Sequence, residues 1–176
     1  MAQGASYAEW TVPSGWVKNG VMSTDGSADQ AGWVLPPIAI TATNDYAVEF
    51  TFQLGETDTC PRSFGIAIRG TDEGYYAGGI EWNCDPDLVL WAGQDQLANS
   101  DITIDTNPHV LRVEAQGENT SLFLDGQLML STSDSTYPAG GEVGFWSAGV
   151  PITITNVRIF NLALEAPAGG DQNDVQ

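Results

Sequence analysis

The residues best suited to bind a ligand lie in one short segment, residues 60–84, with the sequence CPRSFGIAIRGTDEGYYAGGIEWNC. The segment holds both cysteines of the chain, two strand-like runs and one glycine-flanked turn, GTDEG. If that turn joins two antiparallel strands, Phe64 faces Ile80 and Cys60 faces Cys84. The segment is therefore predicted to be a β-hairpin whose open end carries both cysteines.

Three chemistries are open to Cys60 and Cys84: free thiols, a metal pair or a disulfide. The chain has one histidine, so a zinc set of cysteines and histidines is not supported. Cysteines directly opposed on antiparallel strands lie within bridging distance, which favours a disulfide over two buried reduced thiols. A disulfide predicts an oxidising setting, which means an extracellular, periplasmic or cell-surface location.

The same register sorts the side chains of the hairpin onto two faces. The face predicted to enter the core is apolar and consists of Phe64, Ile66, Ile68, Tyr76 and Ile80. The opposite face places Gly65 against Gly79 and Ala67 against Ala77, and the same count places Arg69 against Tyr75. These four glycines and alanines predict a shallow surface depression, called the trough below.

Larger side chains are predicted at the rim of the trough. In DLVLWAG, inward-pointing Leu88 and Leu90 would leave Trp91 on the outer face. Aromatic faces stack on the apolar face of a pyranose, and planar polar groups hydrogen-bond its hydroxyls. The predicted ligand is therefore a carbohydrate, and the predicted ligand-binding residues are Arg69, Tyr75, Glu81, Asn83 and Trp91.

A packing role for the trough is the alternative. Small residues on an outer face also admit another segment of the same chain. The N-terminal region is one candidate, because it holds Trp10, Trp16 and Trp33, which must be buried somewhere. Sequence alone leaves both interpretations of the trough open.

Catalytic signals are weak. The chain lacks the carboxylate motif of sandwich glucanases, a nucleophile elbow, a phosphate loop and a redox Cys-x-x-Cys motif. Asp85-Pro86-Asp87 predicts a turn, and such an acidic cluster is more typical of a solvated loop or a calcium site than of an acid/base pair. His109 is expected to be a surface or hydrogen-bonded residue. No catalytic residue and no cofactor are assigned, and calcium stays an alternative without a ligand set.

The elements that must position these residues are short strands. YAVEFTFQL and HVLRVEAQ alternate apolar and polar residues, which is typical of half-buried antiparallel strands. Asp125-Gly126 between two apolar runs predicts a two-residue hairpin turn, and the shift of apolar phase between Ile154 and Val157 predicts a β-bulge. About ten such segments without a helical period predict an all-β antiparallel sandwich or jelly roll.

These motifs resemble a known group of domains. HVLRVEAQGENTSLFLDGQLMLSTSDSTYPAGGEVGFWS and ITITNVRIF are similar to the second half of the concanavalin A-like, laminin-G-type jelly rolls. DYAVEFTFQL, FGIAIRG and GYYAGGI resemble the first half, and the whole is similar to bacterial modules grouped with the 3-keto-disaccharide hydrolases. The resemblance implies the jelly-roll fold. Its members include carbohydrate-binding modules, glucanases and adhesion domains, and many of them bind calcium.

Composition excludes several partners. The 176 residues include 23 acidic and five basic ones, a formal net charge of −18, which argues against nucleic acid and anionic membranes. No apolar run is long enough to insert into a membrane, and the first ten residues do not have the pattern of a signal peptide. One jelly-roll domain is predicted over residues 1–164, followed by a flexible acidic tail or the start of a linker over 165–176.

These observations favour a non-catalytic extracellular module that binds carbohydrate. The first alternative is a structural subunit of a cell-surface assembly, in which the outer face docks a surface protein or another copy of the chain. The second alternative is a sugar hydrolase of the 3-keto-disaccharide type, which follows from the resemblance alone.

Overall fold

The structure, a computed structural model, describes residues 9–27, 33–36, 45–56, 60–138 and 141–162. Strands dominate these residues, and no α-helix occurs among them. The strands are β1 (Trp16–Lys18), β2 (Met22–Asp25), β3 (Tyr46–Leu54), β4 (Arg62–Thr71), β5 (Gly74–Trp82), β6 (Pro86–Ala92), β7 (Asp95–Asp101), β8 (His109–Gln116), β9 (Asn119–Leu124), β10 (Gln127–Ser133), β11 (Glu142–Ala148) and β12 (Pro151–Asn161).

Two antiparallel sheets face each other. One has seven strands in the order β1-β2-β12-β3-β8-β9-β10, and the other has five in the order β11-β4-β5-β6-β7. Every strand pair is antiparallel. This arrangement confirms the predicted all-β sandwich.

The core forms where the alternating apolar side chains of the two sheets meet. Phe50 and Phe52 of the seven-stranded sheet contact Phe64 of the five-stranded sheet, with ring centroids 6.5 and 4.8 Å apart. The hairpin face predicted to enter the core is fully buried. Its residues each have 0% exposure: Phe64, Ile66, Ile68, Tyr76 and Ile80. Because successive side chains of a strand point to opposite sides, this burial fixes which residues of β4 and β5 face outward.

Two local predictions are also confirmed. Asp125 and Gly126 have φ angles of 52° and 80°, as a two-residue turn of type I′ requires. In β12 the pairing with β3 shifts register between Thr155 and Arg158, and Asn156 has a positive φ of 51°. This is the β-bulge that the change of apolar phase predicted.

In the described part of the chain there is no helix of the length and hydropathy that a membrane span requires. The acidic tail predicted at 165–176 lies outside the described residues.

Candidate functional site

The β4–β5 hairpin forms in the predicted register over most of its length. Phe64 pairs with Ile80, Gly65 with Gly79 and Ala67 with Ala77. Cys60 and Cys84 form a disulfide with their Cα atoms 5.5 Å apart, so the predicted bridge is confirmed. The bridge lies just beyond the strand ends and links the two strands of the hairpin at its open end. It is compatible with an oxidising compartment.

The trough lies in the middle of the outer face of the five-stranded sheet. Trp146 of β11 pairs with Gly65, and Trp91 of β6 pairs with Ala77. A Cβ atom at Gly65 would overlap the ring of Trp146, so that ring lies against the glycine. A side chain of the same chain therefore occupies the glycine part of the trough.

Beside this packed part, the surface forms a concave site of about 310 Å³, called the aromatic cavity below. Four half-buried aromatic side chains line it, together with small and polar residues. The aromatic residues are Trp33, Tyr75, Trp91 and Trp146, and the others are Ser63, Ala77, Glu81, Gly93, Gln94 and Ala148. One part of the outer face, at Gly65, is therefore covered by Trp146, and the neighbouring part, at Ala77, lines an open cavity.

The four rings contact one another in a chain of edge-to-face pairs. Tyr75 and Trp33 have centroids 5.2 Å apart and ring planes at 74°. Trp33 and Trp146 follow at 5.6 Å and 68°, and Trp146 and Trp91 at 6.0 Å and 70°. Edge-to-face contacts are favourable for aromatic pairs. Rings at these angles form adjoining walls rather than one flat platform.

The polar groups of the aromatic cavity are held by neighbouring strands. Trp146 Nε1 donates a hydrogen bond to Ser63 Oγ at 3.3 Å, which fixes the edge of that indole ring. Glu81 Oε1 accepts a hydrogen bond from Asn83 Nδ2 at 3.4 Å. Glu81 and the exposed Gln94 provide planar groups that can bind hydroxyls or an amine.

A row of carboxylates continues from Glu81 across the sheet. Glu81 pairs with Asp87 on β6, and Asp87 pairs with Asp101 on β7. Desolvation, followed by the hydrogen bond to Asp101 and repulsion from Asp101, Glu81 and Asp85, raises the pKa of the Asp87 carboxyl above 3.8. Among the described residues, no group of three or more acidic, cysteine or histidine side chains is arranged to hold a metal ion.

Three of the five predicted ligand-binding residues lie together. Tyr75, Glu81 and Trp91 all line the aromatic cavity. Asn83 follows the end of β5, is exposed and contacts Glu81 without lining the cavity. Asn83 instead borders a separate cleft at the end of the sheet.

The predicted position of Arg69 opposite Tyr75 is wrong. The pairing shifts between Ile68 and Thr71, and Arg69 has a left-handed φ of 53°. Its side chain is fully buried, and its Nη1 donates to the carbonyl oxygen of Tyr137 at 3.4 Å. Its backbone N–H donates to Tyr46 Oη at 2.7 Å. The bulge turns Arg69 away from the outer face, so it does not join the aromatic cavity.

Sequence reasoning did not include Trp146 in the site and considered Trp33 only as a cover for the trough. A local signal existed for Trp146, since it follows the core residue Phe145 and must therefore point outward. Trp33 lies beside Val34, which pairs through backbone hydrogen bonds with Phe145 at the edge of β11. The other two N-terminal tryptophans are buried in the core instead, and Trp10 stacks on Phe145.

No family model matches the chain, and no curated protein matches it either. Solved structures of similar fold do exist. The carbohydrate-binding module CBM66 from Bacillus subtilis matches with a TM-score of 0.71 and 18% identity, covering 86% of this chain and 94% of that one. The potassium-bound form of the Emp46p carbohydrate recognition domain matches with a TM-score of 0.67 and 11% identity, covering 87% and 88%.

Another solved structure contains a similar fold as part of a longer chain. The GH43 protein BlXynB from Bacillus licheniformis matches with a TM-score of 0.65 and 10% identity, covering 87% of this chain but only 37% of that one. At these identities the similarity shows the fold. It agrees with the jelly-roll fold that the sequence resemblance implied, and the matched structures include a carbohydrate-binding module and a carbohydrate recognition domain.

Proposed function

We propose that this chain is a carbohydrate-binding domain and that the ligand binds in the aromatic cavity. The main observation is the set of four half-buried aromatic rings around a space of about 310 Å³ with Ser63, Glu81 and Gln94 at its polar edge. Small-molecule sites usually measure roughly 300–1,000 Å³ and combine apolar walls with a few polar groups. The cavity has this composition, and its volume suits a short segment of a glycan.

The proposed role is non-catalytic. Most glycoside hydrolases place two carboxyl groups on either side of the scissile bond. Among the described residues that line the aromatic cavity, Glu81 is the one carboxylate. Binding by stacking and hydrogen bonding needs no second carboxylate, so the lining residues fit a binding module better than a hydrolase.

An extracellular or cell-surface setting accompanies this proposal. The Cys60–Cys84 disulfide suits an oxidising compartment, and the net charge of −18 suits solubility in a saline medium. The folds of the CBM66 module and the Emp46p carbohydrate recognition domain support the carbohydrate class of ligand by analogy of fold.

A glycan array with the purified protein tests the proposal, and Trp91→Ala is the informative variant. Loss of one stacking wall is expected to weaken binding by about 2 kcal/mol, or about thirtyfold. Phe123→Ala is the matched control, because Phe123 is a half-buried aromatic residue of β9 in the other sheet. Equal binding by wild type and Trp91→Ala would place any bound glycan outside the aromatic cavity and contradict the proposal.

A further inference from the structure

The charge around the aromatic cavity has one sign. Among the described residues that line it, Glu81 is the one with a formal charge. Asp87 and Asp101 continue the same row on the next two strands, directly opposite one another in the pairing of β6 with β7. A ligand bound in the cavity can therefore contact the Glu81 carboxylate, whereas Asp87 and Asp101 line the separate cleft at the end of the sheet.

The basic residues of the chain do not line this cavity. Lys18 Nζ donates a hydrogen bond to the carbonyl oxygen of Trp10 at 2.8 Å, and Arg69 is fully buried. Arg158 and Arg112 lie on the seven-stranded sheet beside Glu49. The remaining cation, Arg62, stacks on Trp82 with 4.8 Å between its Cζ and the ring centroid and borders the separate cleft at the end of the sheet. These five are all the basic side chains of the sequence.

The aromatic walls favour the same sign of ligand charge. A cation near the face of Trp or Tyr is attracted by the ring quadrupole, and adjoining aromatic walls form the cages that bind quaternary ammonium ligands. Trp33, Tyr75, Trp91 and Trp146 adjoin at angles of 68–74°. Aromatic rings and Glu81 therefore act together on a positively charged group.

We propose that the aromatic cavity selects glycans with a free, protonated amino group and that Glu81 is the residue that determines this selectivity. The inference rests on the proposed carbohydrate-binding function and names its ligand class. The ammonium group would donate a charge-assisted hydrogen bond to Glu81, which is stronger than the bond a sugar hydroxyl can donate. A uronic acid or a sulfated sugar would be repelled by Glu81 and by the carboxylates of Asp87 and Asp101.

Calorimetric titrations at mildly acidic pH test this inference with three oligosaccharides of equal length: glucosamine oligomers, their N-acetylated counterparts and oligogalacturonates. The wild-type protein is expected to bind the free-amine oligomer about tenfold more tightly than the acetylated one. Oligogalacturonate should bind most weakly. Glu81→Gln keeps the shape of the side chain and is expected to abolish the preference for the free amine, with little effect on the acetylated oligomer.

A control variant separates a specific contact from general attraction to an acidic protein. Glu118→Gln removes the same charge from an exposed residue in the turn between β8 and β9. It is expected to leave the tenfold preference unchanged. If Glu118→Gln weakens binding of the free-amine oligomer as much as Glu81→Gln does, the attraction comes from net charge and the inference is wrong.

Trp91→Ala distinguishes failure of the inference from failure of the proposed function. If acetylated or acidic oligomers bind as tightly as the free-amine oligomer, and Trp91→Ala abolishes that binding, the amine selectivity is overturned while the carbohydrate site stands. If no oligosaccharide binds in a Trp91-dependent way, both proposals fall.

Discussion

At the scale of single residues, His109 connects two turns by a pair of hydrogen bonds. Its Nδ1 lies 2.7 Å from Asp125 Oδ2, and its Nε2 lies 3.0 Å from Asp105 Oδ1. Asp125 Oδ1 also accepts a hydrogen bond from the backbone N–H of Val110 at 2.8 Å. His109 is therefore a half-buried, hydrogen-bonded residue, and hydrogen bonding was one of the two roles expected from the sequence. Its contacts connect the β9–β10 turn with the segment before β8.

The protonation of His109 is expected to depend on these two carboxylates. Partial burial opposes the charged form, but the hydrogen bonds to Asp125 and Asp105 outweigh it and raise the pKa of His109 above 6.5. A raised pKa in the folded state means that this stabilisation is fully present below pH 6.5. The stabilisation is then lost as the pH rises through the pKa of the folded protein.

An NMR titration checks this prediction without ambiguity, because His109 is the one histidine of the chain. Asp125→Asn keeps an acceptor for Val110 and tolerates the positive φ of 52°, so it removes mainly the charge. The pKa of His109 should fall towards 6.5 in this variant. A wild-type pKa at or below 6.5 would show that the two carboxylates do not outweigh the effect of burial and would contradict the prediction.

At the scale of elements, the β4–β5 hairpin is both the floor of the aromatic cavity and the part of the sheet that the disulfide holds. Ser63, Ala77 and Glu81 from this hairpin line the cavity, and Cys60 and Cys84 lie beyond its open end. The bridge limits the separation of the two strands in the unfolded chain. The hairpin should therefore be the element whose stability depends most on redox state.

Removing the bridge is expected to destabilise the domain without removing the site. Cys60 and Cys84 are 24 residues apart, and by loop-closure entropy a bridge of this length contributes about 3–4 kcal/mol. For a domain of this size, the double variant Cys60→Ala, Cys84→Ala should melt roughly 10 °C lower. Differential scanning calorimetry measures the shift, and reduced wild-type protein is the control. An unchanged melting temperature in both samples would mean that the bridge adds no stability.

The elements show what sequence could and could not predict. Alternation and turn chemistry are local, so they correctly predicted the register of Phe64 with Ile80, the Asp125-Gly126 turn and the bulge near Asn156. The second bulge, at Arg69, has no signal in apolar phase because it lies next to the turn. Arg69, which the hairpin register predicted for the outer face, is buried instead.

The membership of the site depended on contacts between distant parts of the chain. That Trp146 lies beside Gly65 follows from the placement of β11 next to β4, which no local pattern specifies. The position of Trp33 follows from the pairing of Val34 with Phe145 at the edge of the sheet. Sequence therefore predicted the half of the cavity that the β4–β5 hairpin and β6 provide, and it missed the wall that β11 and the segment beside it provide.

At the scale of the whole molecule, the large negative net charge is expected to affect folding stability and ligand binding. Carboxylates outnumber basic groups by 23 to five, and the described strands place some of them directly opposite each other, as with Asp87 and Asp101. Like charges in directly opposed positions destabilise a sheet. Since the compact state concentrates this charge, self-repulsion should oppose folding more strongly than in a neutral domain.

Salt is therefore expected to raise the melting temperature while it weakens binding of an amine-bearing glycan. The Debye length falls from about 30 Å at 0.01 M salt to about 8 Å at 0.15 M, so most of the gain in stability should occur within this range. The same screening should weaken the attraction between Glu81 and an ammonium group, because the half-exposed carboxylate is open to solvent ions. Thermal unfolding and oligosaccharide titrations across one sodium chloride series measure both effects. A melting temperature that stays constant up to 0.15 M and rises only near 1 M would instead indicate ion exclusion from the protein surface, and would contradict a destabilising self-repulsion.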